Sequence, residues 1–274
     1  MLTVYQPQDP ELRKYIECYY VYTRYADDEP VKYLTFPSVF TIVSISRNSI
    51  TRQTDRGLIT EYSSINPIET NIVCAFRSPV CVEYVGQINE ITIYFKPLGI
   101  NAFLTEDLCN YNTERYADFD PFGDLKGRMI EILGLVDVER RLVEFEQYWL
   151  SKLKGFRHPV LKGIVADMLD AEPIPITGLA YKYGISRSTL NKYFDRHICK
   201  SPSEFRKVVR FRRAMHEHLS EQGRKRLTDV TYSLDYFDQS HMIKDFRSLT
   251  GYSPAKFFSS VSKLENGQIS WLFL

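Results

Sequence analysis

LAYKYGISRSTLNKYF, residues 179–194, reads as two short helices with a turn between them. Leu179 and Ala180 place an apolar and a small residue on one amphipathic run, and Gly184 stands where the chain must turn. Ser186 is placed to cap a second run whose apolar residues recur at Leu190, Phe194 and Ile198. A serine hydroxyl satisfies one of the orphan N–H groups at a helix start, and steps of four keep apolar side chains on one face. This is a helix-turn-helix pattern, whose second helix lies in a DNA major groove.

The design returns at residues 230–246 with one extra residue in the turn, and FDRHICKSPSEF (194–205) aligns with FRSLTGYSPAKF (246–257) at a constant offset of 52. Two copies of a helical reader therefore sit in one chain. Between them Ser201-Pro202-Ser203-Glu204 supplies a capping box with Pro at the first helical position, opening a helix expected to run to about Ser220. Phe205, Val208, Val209, Met215 and Leu219 give that helix an apolar side; Arg206, Arg210 and Arg213 give it a basic one. At ~1.5 Å per residue such a strut is about 27 Å long. That is the order needed to hold two helices in successive major grooves, about 34 Å apart.

The chain has 274 residues, enough for two domains with sizeable cores, and its net charge of +1 conceals an asymmetry. Residues 1–155 carry 16 Lys and Arg against 22 Asp and Glu, a balance of −6; residues 156–274 carry 19 against 12, or +7; together they give +1. A basic half that contains the helix-turn-helix repeat is the footprint of a polyanion binder, and an acidic half has no reason to touch phosphate. Five Cys without CxxC or Cys/His spacing (Cys18, Cys74, Cys81, Cys109, Cys199) are expected to be reduced and mostly buried. With no charged-then-apolar leader and no run of 18 apolar residues, a soluble cytoplasmic protein without membrane contact is expected.

The acidic half reads as sheet after a short opening helix. Residues 10–22 begin with Asp9-Pro10-Glu11 and set Tyr15, Tyr19 and Tyr22 at helical spacing. Strands are predicted over 31–36, 40–46, 58–62, 71–76, 80–85 and 90–95, punctuated by Pro and Gly turns, which suggests an antiparallel barrel or sandwich. Residues 100–104 begin helical structure, and 137–153 form a clear helix with Val138, Leu142, Phe145, Trp149 and Leu153 on one stripe. That stripe either packs on the sheet or forms a dimer seam. Gly155 to Pro159 breaks the helix, and the domain boundary is placed there. The expected divisions are 1–155, 156–262 and a tail, 263–274.

All five His, at 158, 197, 216, 218 and 241, lie beyond the boundary, so the first domain has no imidazole to offer a metal. It also lacks a G-x-S-x-G elbow, a phosphate loop and a Cys/His pair. Its 22 carboxylates show no acid/base spacing and read as a solvated face. An enzyme is not expected, nor a cofactor, a catalytic group or a metal site. Thirteen of the 19 Tyr precede residue 156, which fits an aromatic-walled pocket and an aromatic core equally.

Two helix-turn-helix units joined by one long helix resemble the DNA-binding domain of the AraC family of bacterial transcription regulators. The residues carrying the resemblance are Leu179-Ala180, Gly184-Ile185-Ser186-Arg187-Ser188, Leu190, Phe194, Ser201 to Phe205, Arg210 and Ala214, then Asp238-Gln239-Ser240, Phe246, Gly251-Tyr252-Ser253-Pro254 and Phe257. The first half is similar, through Tyr94-Phe95-Lys96-Pro97-Leu98-Gly99, to the cupin-like sensor domains that precede this module in many members. The chain departs from the family at Cys199 and Asp235, where Gly is usual, and at Thr231, where Ala is usual.

Helix geometry leaves Arg187, Ser188, Asn191 and Lys192 of the first unit facing the groove, and Gln239, Ser240, His241, Ile243 and Lys244 of the second. Asn suits adenine, and Arg or Lys suits guanine. The resemblance implies base reading at Ser188, Lys192, Gln239, Ser240 and Lys244, and Arg210 joins the candidate DNA-binding set. The fold expected is α+β and two-domain: a cupin-like antiparallel β-barrel or sandwich with helices, then an all-α double helix-turn-helix. The function expected is a sequence-specific regulator of transcription, an activator controlled by a small-molecule effector in the first domain. Its implied partners are double-stranded DNA, the effector, RNA polymerase and a second copy of the chain. The alternative is the same DNA-binding domain governed by dimerisation or a protein partner, with the pocket filled by its own Tyr and Phe side chains.

Overall fold

The computed structural model describes residues 2–55, 57–74, 76–111, 116–170, 174–220, 239–260, 262–263 and 270–273. Residues 2–118 build the strands β1 (Leu2–Tyr5), β2 (Ile16–Arg24), β3 (Val31–Thr35), β4 (Thr41–Arg47), β5 (Ser49–Thr54), β6 (Gly57–Tyr62), β7 (Ile68–Val73), β8 (Val80–Val85), β9 (Ile88–Phe95) and β10 (Ala117–Asp118). One sheet runs β1-β2-β9-β4-β7-β10, antiparallel throughout. The second contains β3-β8-β6-β5, and there β6 and β8 pair parallel. The architecture is a two-sheet sandwich rather than a closed barrel.

The expected opening helix is a correction. Leu12–Lys14 makes one 3-10 turn, begun by Asp9, whose Oδ1 accepts from Glu11 N (2.7 Å), and then β2 takes over as an interior strand. Tyr19 packs on one face of the sheet, Tyr20 and Tyr22 on the other. Aromatic residues on both faces of a central strand imitate helical spacing, because neither face shows the polar alternation that marks a strand. The predicted 71–76 strand lies three residues earlier, as β7. Strands β1, β2, β5 and β10 were not foreseen.

The tail is also corrected. Two short strands, β11 (Ser262–Lys263) and β12 (Ser270–Phe273), pair with each other, and β12 extends the second sheet by pairing Trp271, Leu272 and Phe273 with Thr35, Leu34 and Tyr33. Trp271 and Phe273 are residues of high strand propensity, and β11 rather than β12 ends the sheet.

Residues 99–111 and 119–155 cover the outer face of the first sheet. Ile100–Ala102 and Leu108–Tyr111 are 3-10 turns; α1 (Leu125–Gly134) and α2 (Val138–Lys152) are helices. Asp137 caps α2, its side chain accepting from the N–H groups of Glu139 and Arg140. Leu142, Phe145, Tyr148 and Trp149 all point into a core made with Val43, Ile45, Ile91, Ile93, Phe95 and Phe103. Phe145 and Trp149 are 1% and 0% exposed within this one chain. Phe145 and Trp149 are internal core and make no dimer seam, while Val138 at the start of the stripe is exposed.

Beyond the break come α3 (Leu161–Leu169), α4 (Ile176–Lys182), α5 (Arg187–Ile198), the 19-residue strut α6 (Pro202–Ser220), α7 (Gln239–Thr250) and α8 (Pro254–Ser260). Leu161, Ile164, Leu179, Leu190, Phe194, Phe205 and Val209 form one core, and Phe211, Met215, Met242, Phe246, Leu249 and Phe257 form another. The strut contributes to both. The first helix expected in the second unit, residues 230–237, lies outside the described residues, as do Thr231 and Asp235.

Candidate DNA interface and inter-sheet cavity

The first helix-turn-helix is built as its sequence dictates. Gly184 takes φ +63° at the turn, and Ser186 caps α5 with its Oγ accepting from Thr189 N at 3.0 Å. Leu190, Phe194 and Ile198 are buried, which leaves Arg187, Ser188, Asn191 and Lys192 exposed on the opposite side. In the capping box of α6, Ser201 N donates to Glu204 (2.9 Å) while Glu204 N donates to Ser201 Oγ (3.2 Å). Cys199 adopts φ +58°, left-handed backbone that its repeat partner Gly251 also adopts at +78°. The usual Gly at this place is explained by that conformation.

In the second unit Met242, Phe246 and Leu249 are core, and Ser240 and Lys244 are exposed. Gln239 begins α7, and its side chain lies outside the described set. His241 is partly exposed, its Nε2 3.8 Å from Asp245. Arg210 does not join the groove-facing group. Its guanidinium donates to the buried Asp245 at 3.0 Å, tying the strut to α7, and Lys207 stands 3.6 Å from the same carboxylate. Arg206 and Arg213, also expected on a free basic side, donate to the carbonyls of Ile174 and Asp170. A buried carboxylate and unpaired carbonyls draw cationic side chains inward, and a surface-spacing argument cannot see those partners.

The inner faces of the two sheets do not meet everywhere. A cavity of about 250 Å³ lies between them, walled by Tyr20, Tyr33, Tyr84, Tyr94, Thr92 and Glu90 among others. The exposed β5–β6 turn, with Gln53, Thr54 and Asp55, and the segment carrying Phe76, Ser78 and Pro79 also line it. Glu90 is 2% exposed. Its Oε1 accepts from Tyr20 (2.9 Å), Tyr84 (2.7 Å) and Thr92 (2.7 Å), and its Oε2 accepts from Ser46 (2.6 Å). Burial, then the nearby Glu90 charge, hold the Tyr20, Tyr33 and Tyr84 phenols well above their usual range, so they stay neutral donors. Sequence reasoning treated the carboxylates as a solvated face and missed Glu90. The signal lay in INEITIYF (88–95), where Ile91, Ile93 and Phe95 alternate with Glu90, Thr92 and Tyr94. An acid that alternates with Ile91, Ile93 and Phe95, all buried against the helices, must point to the other face of the sheet, between the two layers.

The loops at the rim of this cavity grip the helical domain. Lys200, 5% exposed, donates to the Cys74 carbonyl, and Arg77 pairs with Glu204 at 2.5 Å. Phe36, fully buried, sits in the core of the second unit against Phe257, and Arg212 donates to the Phe36 (2.8 Å) and Pro37 (3.0 Å) carbonyls. Burial lowers the Arg212 guanidinium to about 10. On the other side, Asn101 donates to the His197 carbonyl (2.9 Å), and Arg196 pairs with Asp107 (2.6 Å). Among the described residues no group of three or more His, Cys, Asp or Glu could hold a metal ion, and no helix is long and apolar enough to cross a membrane.

Residues 179–260 match a family described as a helix-turn-helix domain. The matched stretch takes in both helix-turn-helix units and the strut between them. It runs from within α4 to α8 and marks this part of the chain as a DNA-binding domain. Among solved structures, ToxT from Vibrio cholerae at 1.65 Å is 11% identical, covering 94% of this chain and 98% of its own with a TM-score of 0.44. ToxT bound to an unsaturated fatty acid is 12% identical, covering 94% of each chain, with a TM-score of 0.42. ToxT bound to (E)-4-(8-methylnaphthalen-1-yl)but-3-enoic acid is 10% identical, covering 87% of this chain and 97% of its own at 0.41. No curated protein sequence matches the chain.

Proposed function

We propose that this chain is an activator whose DNA affinity is set by a small-molecule effector held in the inter-sheet cavity. One observation carries the reading. The segment that lines the cavity with Val73, Phe76, Ser78, Pro79 and Val80 also reaches the helical domain, through the Cys74 carbonyl and Arg77. A ligand that moves this wall has a direct mechanical route to Lys200, immediately after α5, and to Glu204 at the start of α6. The hollow also favours an effector over the alternative in which Tyr and Phe side chains fill the pocket. The activator is expected to meet RNA polymerase in the cytoplasm and to pair with a second copy through surfaces other than the Phe145 and Trp149 stripe.

Arg187, Ser188, Asn191 and Lys192 are the base-reading candidates of the first unit, and Ser240, Lys244 and Gln239 those of the second. Lys192→Ala is expected to relax preference at one operator position and to cost about 1–3 kcal/mol of specific binding. Identical selected sites for wild type and variant would remove Lys192 from that role.

The effector reading is tested by screening a metabolite library on the full chain, scoring both melting temperature and DNA affinity. A true effector raises the melting temperature with concentration and changes DNA affinity. In Lys200→Met, which keeps the stem and removes the bond to Cys74, the thermal response should persist and the change in DNA affinity should shrink. A library with no hit on either readout would favour control by a partner protein.

A further inference from the structure

The cavity has a chemical character of its own. Among the described residues its charged lining groups are Glu90 and, on the exposed β5–β6 turn, Asp55, and none is Lys, Arg or His. All four groups that bond the Glu90 carboxylate are neutral hydroxyls. Hydroxyl donors stabilise an ionised carboxylate, but they leave its charge without a counter-ion in a site removed from water, where charge is costly. Three donors crowd Oε1 and one reaches Oε2, so acceptor capacity remains on Oε2.

The walls add a second feature. Tyr33 and Tyr84 stand with ring centroids 6.0 Å apart, and Tyr20 and Tyr94 at 6.2 Å, all four lining the same space. Aromatic faces carry negative potential and attract a cation lying over them within about 6 Å. An anionic ligand would be buried beside Glu90 with nothing to offset the repulsion. A neutral polyol could bond the hydroxyls but would leave the carboxylate charge as it is. The cavity volume of about 250 Å³ lies below the roughly 300–1,000 Å³ of drug-sized sites. The guest is therefore small.

We infer that the inter-sheet cavity takes a small organic cation of the ammonium class, with Glu90 as its counter-ion and the Tyr20, Tyr33, Tyr84 and Tyr94 rings as its cage. This rests on the effector reading only for its consequence at DNA; the binding itself stands on the cavity.

Three probes of one shape and different charge test it on the full chain: choline, its neutral carbon isostere 3,3-dimethylbutan-1-ol, and the anion 3,3-dimethylbutanoate. Calorimetry and concentration-dependent melting should show choline binding at least about tenfold more tightly than the neutral isostere, the scale of a desolvated cation–π contact, and the anion weakest. Glu90→Gln should weaken choline several-fold and so narrow its lead over the alcohol, whose own affinity stays unchanged, while the rings keep their cation–π share of that lead. Should that variant fail to fold, Asp55→Asn on the exposed turn is the second probe, expected to weaken choline by about twofold and to leave the alcohol alone. Equal or tighter binding of the alcohol or the anion overturns the inference. So does the failure of choline, tetramethylammonium and benzyltrimethylammonium alike to stabilise the wild type.

The two readings fail separately. A neutral or acidic metabolite that binds and shifts DNA affinity keeps the effector and sinks the cation. Ammonium binding that leaves DNA affinity untouched keeps the cation site and sinks the effector.

Discussion

The two faces of the first sheet come from alternate residues of the same strands, yet one is solid and the other hollow. On β9, Ile91, Ile93 and Phe95 press into α1 and α2, where Trp149 meets Phe95 and Phe103 with ring centroids 5.1 and 5.4 Å away. Glu90, Thr92 and Tyr94 look the other way, into the cavity. Helices can slide and rotate until their side chains fill the gaps of a sheet. The second sheet is joined to the first by short turns and cannot close as freely, so polar groups there can be held apart around a space. Stability therefore resides on the filled face, and the capacity to bind resides on the hollow one. Each face has its own hold on the DNA-binding domain: 98–107 on the solid side, through Asn101 and Asp107, and 36–37 with 74–77 on the hollow side.

The largest effect is expected where packing is densest. Trp149→Ala removes a fully buried side chain among Phe95, Phe103, Phe122, Phe145 and Tyr148, and should cost about 3–5 kcal/mol in denaturant unfolding. Trp149→Phe should recover much of this, because the indole Nε1 has no hydrogen-bond partner among the described residues and its loss leaves none of them unsatisfied. On the hollow face, Tyr84→Phe removes one 2.7 Å bond to Glu90 but leaves the ring in place. A bond to a charged group is worth about 1.5–3 kcal/mol, so the loss should be smaller than for Trp149→Ala. A Tyr84→Phe penalty above that of Trp149→Ala would reverse the assignment of stability to the filled face.

The legible parts of this chain were those whose partners are close in sequence. Gly184, Ser186 and the Leu190, Phe194, Ile198 steps define the first helix-turn-helix within twenty residues, and the Ser201–Glu204 box is a contact between residues three apart. The repeat also identified Cys199 as standing where Gly251 stands, and the shared positive φ supplies the reason. What escaped depends on distant partners. Arg210 reads as part of a basic side of the strut and a DNA contact, and Asp245, 35 residues on, takes up its guanidinium. Glu90 looked solvated until Ser46 and Tyr20, 44 and 70 residues earlier, closed around it. The Tyr15, Tyr19, Tyr22 spacing imitated a helix because β2 is buried on both faces.

The smallest effect is a pH dependence on the solid side of the domain junction. His158 Nδ1 accepts from Leu161 N at 3.1 Å, so the imidazole acts as a cap on the first turn of α3, and its ring packs against Phe156, Tyr193 and His197. A ring nitrogen that carries a proton cannot accept. Burial first, then the Arg196 charge, lower the His158 pKa, and burial likewise lowers His197 despite Asp107 at 3.6 Å. Because the folded pKa values lie below the unfolded value of 6.5, the unfolded chain binds more protons as pH falls through 6.5. Stability should therefore be complete above that pH and decline below it. The cap's share is bounded by the worth of one N-cap bond, about 0.5–2 kcal/mol. His158→Asn offers an amide oxygen that accepts at any pH, so its melting temperature should fall less between pH 7.5 and 5.5 than that of wild type. Parallel curves for the two proteins would mean that His158 titrates without losing its cap, and would leave His197 as the only imidazole at this junction able to supply the dependence.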